Sequence, residues 1–241
     1  MVELILVRHG ESVGNVAAAQ AYASDDEVVQ VDCRDADVPL SDTGVDQARA
    51  LGDGLRALAA PPDVVWCSPY VRAQETARLA LESAALDLPI RLDERLRDRE
   101  LGVLDRLTMR GVRTRYPEEA ERRRWLGKFY HRPPGGESWA DVALRLRSLI
   151  PEMDRTAHGQ RVLVVCHDAV VLLIRYICER LGEEDVLELT RGKSVLNVSI
   201  TRLERVDEHV WTMRTFNDVS HLQDEPAPVT EHRGASDVRP E

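Results

Sequence analysis

The sequence predicts a three-layer α/β/α protein, in which a mostly parallel central sheet is flanked by helices and a helical insertion lies over the active-site end. Three observations predict it. Short apolar runs, β-branched and nearly free of polar residues, read as strands buried on both faces of a parallel sheet, with Val2 to Val7 and Val162 to Cys166 the clearest. Amphipathic segments of helical spacing separate the runs, as βαβ crossovers require. The alternation breaks at only two places, residues 94–134 and the chain from 222 onward.

Taken in order, the strands are expected at Val2 to Val7, Val64 to Cys67, Val162 to Cys166, Val195 to Ile200 and Val210 to Phe216. The first helix opens at Ser41, a residue type whose side chain caps free backbone N–H groups. It carries Val45, Ala48, Leu51 and Leu55 on one face and stops at Pro61 and Pro62. A second runs from about Pro69 to Ala85 with Ala73, Ala77, Ala80 and Leu81 inward. A third follows Ser138, with Val142, Leu146, Leu149 and Ile150 on one face, and a fourth follows Cys166, with Val170, Leu173, Ile174, Ile177 and Leu181. Residues 94–134 hold the charged stretch Glu118 to Arg124 and then Trp125, Phe129 and Tyr130, which reads as a helical cap anchored by its aromatics. The expected organisation is one domain over residues 1–221 and a largely disordered tail over 222–241, where Pro226, Pro228 and Pro240 accompany few apolar anchors.

Composition narrows the function. The chain has 241 residues, ample for a buried core, and 43% of them are hydrophobic against 31% charged, the balance of a soluble globular protein. Its formal net charge of −10 argues against nucleic acid or an acidic membrane as partner, because phosphate backbones and anionic lipids demand a positive surface. Lys128 and Lys193 are the only lysines among 32 basic residues. No run approaches the roughly 20 apolar residues of a membrane span, and the chain opens on a strand-like run with no basic leader, so a cytoplasmic location is expected. Cys33, Cys67, Cys166 and Cys178 lie far apart with no CxxC pair, as reduced thiols would, and neither a zinc knuckle nor a disulfide framework is indicated.

The chemistry concentrates at three junctions. Leu6-Val7-Arg8-His9-Gly10-Glu11-Ser12 takes an apolar strand into a cation, an imidazole and a glycine. Ligands of open α/β sheets sit beyond the carboxyl ends of strands. Val162 to Cys166 runs into His167 in the same way, and Trp66-Cys67-Ser68-Pro69 opens a helix that carries Arg72 in its first turn. Two histidines and two arginines are thus delivered toward one edge of one sheet. Planar guanidinium groups grip a phosphoryl group bidentately; one imidazole can attack phosphorus, splitting a hard displacement into two easier steps; a second, if protonated, stabilises the equatorial oxygens.

These residues resemble the histidine phosphatase superfamily, the phosphoglycerate mutase-like fold. Arg8-His9-Gly10-Glu11 matches its RHG signature, and Leu40-Ser41-Asp42-Thr43-Gly44 with Gln47-Ala48 is similar to its L-[ST]-x-x-G-x-x-Q-A element. Ser68 to Ala77 resembles its S-x-x-x-R-A-x-x-T-A helix, Pro134-Gly135-Gly136-Glu137-Ser138 its PGGES turn, and Val165-Cys166-His167 its second histidine. The resemblance implies His9 as nucleophile, Arg8, Arg72, His167 and Asn15 as the phosphate pocket, and no metal or organic cofactor. The proton donor falls in Leu96-Arg97-Asp98-Arg99-Glu100-Leu101-Gly102, similar to the family's L-x-E-x-x-x-G. Asp98 holds the register to Gly102 and Glu100 lies two residues on; in an extended stretch both point the same way, and the register favours Asp98.

The expected activity is metal-independent hydrolysis of a small phosphorylated molecule. The alternatives are a cofactor-dependent phosphoglycerate mutase-type phosphomutase, whose E-R-H-Y-G segment is poorly matched by Asp98 to Gly102, and a non-catalytic phospholigand scaffold, disfavoured because all four cationic or nucleophilic positions are present. A homodimer is allowed, since the family includes monomers and dimers. Asp168, next to the second histidine, is expected to cap the following helix or to keep His167 protonated; Ser138 is expected to cap, and Glu137 to stand at the rim. Asp25, Asp26, Glu27 and the aromatics Trp125, Phe129, Tyr130 and Trp139 are candidates for the walls that select substrate.

Overall fold

The computed structural model describes residues 1–191, 194–207, 210–223 and 227–231. Six strands form one sheet: β1 (Glu3–Arg8), β2 (Val64–Cys67), β3 (Ile90–Leu92), β4 (Arg161–Cys166), β5 (Ile200–Asp207) and β6 (Val210–Asp218). Their spatial order is β3-β2-β4-β1-β5-β6, with β5 antiparallel to both neighbours and the other pairings parallel. Eight helices accompany them among the described residues: α1 (Val13–Ala23), α2 (Asp42–Ala57), α3 (Val71–Ala84), α4 (Met109–Arg115), α5 (Pro117–Tyr130), α6 (Trp139–Thr156), α7 (Asp168–Cys178) and α8 (Glu183–Leu189).

The unbroken apolar strands are explained by the layering. Successive side chains of a strand point to opposite faces. Leu4 and Leu6 of β1 join Val162, Val164 and Cys166 of β4 in one core with α6 and α7, while Ile5, Val7, Leu163 and Val165 join the core beneath α2 and α3. Every position of these strands is buried on one side or the other, so no polar alternation survives. Ser41 and Ser138 cap α2 and α6 as expected, their hydroxyls accepting from the N–H groups of Gly44 and Asp141. Among the described residues no helix is long and apolar enough to cross a membrane.

Four expectations need correction. Helix α1 occupies what reads in sequence as a loop, because its small residues, Ala17, Ala18, Ala19, Ala21 and Ala23, give no amphipathic stripe. Strand β3 and helix α8 are short additions with no strong pattern. The apolar run Val195 to Ser199 is not strand: β5 begins at Ile200, and Val198 adopts a left-handed φ of 51° as the chain crosses the end of β1, its N–H donating to Arg8 O. The tail is not free throughout either. Leu222 and Ala227 are buried, and 227–231 hydrogen-bonds back onto the body, while 224–226 and 232–241 lie outside the described residues.

Candidate active site

Strand register brings the two histidines together. Arg8 pairs with Cys166 across the β1–β4 ladder, so the residues that follow, His9 and His167, leave the sheet side by side, and His9 N–H donates to Cys166 O at 2.9 Å. Neighbouring strands are about 4.8 Å apart; the imidazole centroids are 5.2 Å apart, edge to face. Ser68, at the end of β2, donates its N–H to Val165 O and meets His167 Nε2 through its hydroxyl at 2.8 Å.

The turn after β1 is built by a close backbone approach. A methyl at Gly10 would lie 2.7 Å from Gly44 O, and one at Gly44 would collide with Glu11 O. The glycines of the two sequence elements are therefore required by each other: the start of α2 packs directly on the turn that carries His9. Gln47 of α2 accepts from Glu11 N–H at 2.9 Å, and Thr76 of α3 accepts from Gly10 N–H at 3.0 Å.

His9 is 3% exposed, and its Nδ1 lies 2.7 Å from Gly10 O. A carbonyl can only accept, so Nδ1 carries the proton and Nε2 presents its lone pair. Arg72 Nε donates to that Nε2 at 3.3 Å. Burial, reinforced by Arg72, His167 and Arg8, holds the His9 pKa well below the usual imidazole value, which keeps the ring neutral at physiological pH. His167 is likewise pushed well down, by burial first and then by Arg72, Arg145 and Arg8. In this structure it is thus a neutral ring, not the cation expected of it, and Asp168 exerts no hold on it.

Arg8 is buried, with Nη1 bonded to Val195 O, and its pKa is lowered by burial against the pull of Asp168 and Asp98. Arg72 is held by loop residue Asp35, through the backbone O at 2.5 Å and the carboxylate oxygens at 3.1 and 3.2 Å, and by Asp98 Oδ2 at 3.4 Å. The same Asp98 oxygen stands 3.4 Å from His167 Nδ1, a buried atom that makes no hydrogen bond. Asp98 therefore reaches both the arginine and the second histidine. Glu100 is exposed and its carboxylate accepts from the Tyr70 hydroxyl at 3.1 Å, which places it at the rim.

These groups open onto a cavity of about 250 Å³ lined by Arg8, His9, Asn15, Arg72 and Asp98 among others. His167 stands behind this wall, fully buried. Asn15 lines the cavity while its Oδ1 accepts from Ser12 N–H, capping α1. The rest of the wall is apolar at Ala18, Val29, Val31, Val38, Leu101 and Leu107, basic at Arg99 and Arg106, and acidic at Asp35 and Asp105, whose carboxyl pKa values are raised chiefly by burial. Lys128 and Trp139 face it from the other side, the ammonium 4.4 Å from the indole centroid and its pKa lowered by burial to about 7.

Several sequence readings change here. Asp25 and Glu27 form ion pairs with Arg110 and Arg115 of α4 and do not line the cavity, as Asp26 does not; Asp35 and Asp105 do, together with Asp98, Glu100 and Asp168. Of the four candidate aromatics Trp139 contributes to the wall, where Tyr22 joins it; Phe129 is in the core, Trp125 is 89% exposed and Tyr130 is exposed. Asp168 is the first residue of α7 and not its cap; its carboxylate accepts from Val195 N–H at 3.3 Å and faces the cavity, its pKa raised by burial. Glu137 is not part of the cavity wall but a partly buried partner of Arg97 and Arg145.

One contributor escaped the sequence altogether. Asn197, fully buried, donates to His9 O at 2.9 Å, and Thr230 joins it to Gln47: the Thr230 hydroxyl accepts from Gln47 Nε2 at 2.8 Å and donates to Asn197 Oδ1 at 3.1 Å. The only signal was a lone amide inside the apolar run Val195-Leu196-Asn197-Val198.

A neutral imidazole with its Nε2 lone pair in an arginine-rich pocket, closed behind by a second imidazole with an unsatisfied N–H, is equipped to receive a tetrahedral anion beside a nucleophile. The chain belongs to the histidine phosphatase superfamily (branch 1), whose sequence profile matches residues 4–219. It is 33% identical over 192 residues to a 2,3-bisphosphoglycerate-dependent phosphoglycerate mutase 2 of Gloeobacter violaceus, an alignment spanning 77% of this chain and 80% of that protein. It is 33% identical over 178 residues to a 6-phosphofructo-2-kinase/fructose-2,6-bisphosphatase of Caenorhabditis elegans, spanning 73% of this chain and 34% of the relative. Among solved structures, a mycobacterial glucosyl-3-phosphoglycerate phosphatase superposes with a TM-score of 0.72 at 25% identity, covering 90% of this chain and 98% of the other.

Proposed function

We propose that the protein is a metal-independent phosphomonoester hydrolase that works through a phosphohistidine on His9. The observation that carries this reading is the meeting of His9 Nε2, Arg72, His167 Nδ1 and Asp98 Oδ2 around one point, each within hydrogen-bond or near-contact distance of another. In the first step His9 Nε2 bonds to phosphorus as the bond from phosphorus to the ester oxygen breaks, and Asp98 gives that oxygen its proton. Arg8, Arg72 and Asn15 hold the phosphoryl oxygens. His167 Nδ1–H donates to one of them, with Ser68 hydroxyl supplying the hydrogen bond to Nε2 that fixes this tautomer. In the second step water attacks phosphorus, Asp98 takes the water proton and His9 leaves. The guanidinium groups supply the charge stabilisation that Mg²⁺ supplies in kinases.

A phosphomutase reading has the mutase relative in its favour. A bisphosphorylated intermediate, however, needs free cations at both ends of the pocket, and the further guanidinium groups on the wall are spent on backbone carbonyls, Arg99 on those of His131 and Glu137 and Arg106 on those of Val31 and Cys33, with Asp35 and Asp105 standing among them. That distribution supports release of product and attack by water. Hydrolysis of para-nitrophenyl phosphate in EDTA, lost in His9→Ala, is the expected result; isomer exchange between phosphoglycerates outpacing hydrolysis would overturn it in favour of the mutase, and absence of turnover with every phosphomonoester in favour of a scaffold.

A further inference from the structure

The segment that carries Asp98 belongs to no strand. It runs without regular structure between a 3₁₀ turn at Glu94–Leu96 and another at Gly102–Leu104, so no sheet ladder fixes its distance from the phosphate pocket. Aspartate is also one methylene shorter than the glutamate of the resembled pattern, which requires the backbone itself to come closer. Two side chains outside the cavity do that holding. Arg145 of α6 donates through Nη1 to Arg95 O at 2.5 Å and through Nη2 to Asp98 O at 3.1 Å. Its remaining donors close on Glu137, Nε to Oε1 at 3.0 Å and Nη2 to Oε2 at 3.2 Å. Glu137 in turn accepts from Arg97 Nη2 at 2.6 Å and from Glu100 N–H at 3.3 Å. The backbone reinforces this grip, because Glu137 N–H donates to Glu100 O at 2.9 Å and Val103 N–H to Pro134 O at 3.0 Å. Gly102, at φ 55°, has no room for a side chain against Pro134 O.

We infer that Arg145 and Glu137 are positioning residues for the proton donor: together they clamp residues 95–100 so that the Asp98 carboxyl faces the leaving-group oxygen while its other oxygen is held by Arg99 N–H at 2.8 Å. Neither touches substrate. The clamp takes four groups of the segment, Arg95 O, Asp98 O, the Arg97 guanidinium and Glu100 N–H, and a shift of about 1 Å is enough to cost a proton transfer a large part of its rate. The planar fork of arginine is needed, since one guanidinium serves two carbonyls and a bidentate carboxylate at once.

The inference rests on the phosphatase reading, and leaving-group dependence separates the two. Leaving-group protonation belongs to the first step, which kcat/KM reports without the later attack by water, so the Arg145→Met enzyme should lose about 100-fold in kcat/KM with phenyl phosphate, a poor leaving group, and remain within about threefold of wild type in kcat/KM with 2,4-dinitrophenyl phosphate, which leaves without a proton. Asp98→Asn should show the same pattern, and Glu137→Gln a milder version of it with the thermal midpoint and the affinity for inorganic phosphate retained. An equal loss with both substrates in Arg145→Met and Glu137→Gln, or no loss with either, overturns the inference. If Arg145→Met does not fold, Glu137→Gln alone decides by the same criterion. Wild-type turnover that survives His9→Ala would instead sink the underlying reading.

Discussion

Two halves of the site are held in place by different means. Arg8, His9, Ser68 and His167 sit on the ends of three adjacent parallel strands, where ladder hydrogen bonds such as His9 N–H to Cys166 O and Ser68 N–H to Val165 O fix each backbone before any side chain is considered. Asp35, Asp98 and Thr230 arrive on irregular segments, and side chains fix them: Arg72 holds Asp35, Arg145 and Glu137 hold the Asp98 segment, and Gln47 and Asn197 hold Thr230. The nucleophile, Arg8 and the second histidine are thus built onto the sheet, with Arg72 and Asn15 added from helices, while the acid, the carboxylate facing Arg72 and the Thr230 support are adjustable by single substitutions. Sites placed on rigid elements are the more precise, and loops need such supporting contacts.

The sharpest way to break that comparison is to ask which carboxylate of the irregular half gives the proton. Asp98→Asn should lower kcat with phenyl phosphate by about 10² to 10⁴, because Asp98 Oδ2 is the carboxylate oxygen at 3.4 Å from both Arg72 and His167. Glu100→Gln, at the exposed rim, should change kcat by about twofold or less. Steady-state kinetics on the two variants decides; the reverse ranking assigns the role to Glu100.

The same division explains what the sequence discloses. Strand ends are legible, since an unbroken apolar run followed by Arg8-His9 or by His167 marks both the strand and what it delivers, and the order of the motifs fixes their convergence. Clamps are not. Arg145 lies on an amphipathic helix as one arginine among many, and nothing in its spacing tells that it will grip Asp98 O. Asp35 could not be separated from Asp25, Asp26 and Glu27, because which acid of a loop turns inward depends on the 3₁₀ turn at Asp35–Asp37 and on helix α4 engaging the others. Residues 227–231 bury only one small apolar side chain, Ala227, while Val229 is exposed; they are retained by hydrogen bonds to Gln47, Asn197 and Ser194.

Those bonds give a second, smaller effect. Thr230→Val keeps the shape of the side chain but leaves Gln47 Nε2 and Asn197 Oδ1, both on fully buried residues, each short of a partner. The expected cost is about 1–3 kcal/mol in stability, with a fall in kcat because Asn197 also carries His9 O. Thr230→Ser should restore both. Urea titration and turnover of the three proteins measure it, and a Thr230→Val enzyme as stable and active as wild type would show that 227–231 merely lies against the body.

The smallest effect concerns Asp35, which occupies Arg72, the guanidinium that the phosphoryl group must take. Substrate has to displace it, and Asp35→Asn should therefore strengthen inhibition by an oxyanion. Asp35 is half exposed although Arg72 is buried, so the gain is limited to about fivefold. Sulfate is the useful probe because it stays a dianion across the range. Burial raises the Asp35 pKa above the ordinary carboxylate value, even with Arg72 opposing it, so its carboxyl takes up a proton earlier as the pH is lowered. A neutral Asp35 competes less for Arg72, and sulfate inhibition of wild type should strengthen between about pH 7 and pH 5. Protonation of the other groups around the cavity, Asp105 and Asp168 included, strengthens it too, but equally in both proteins. The discriminating quantity is thus the difference in slope: Asp35→Asn should start tighter and gain less. Parallel slopes with equal affinities would mean that the loop leaves Arg72 freely, and that the irregular half of the site imposes no cost on anion entry.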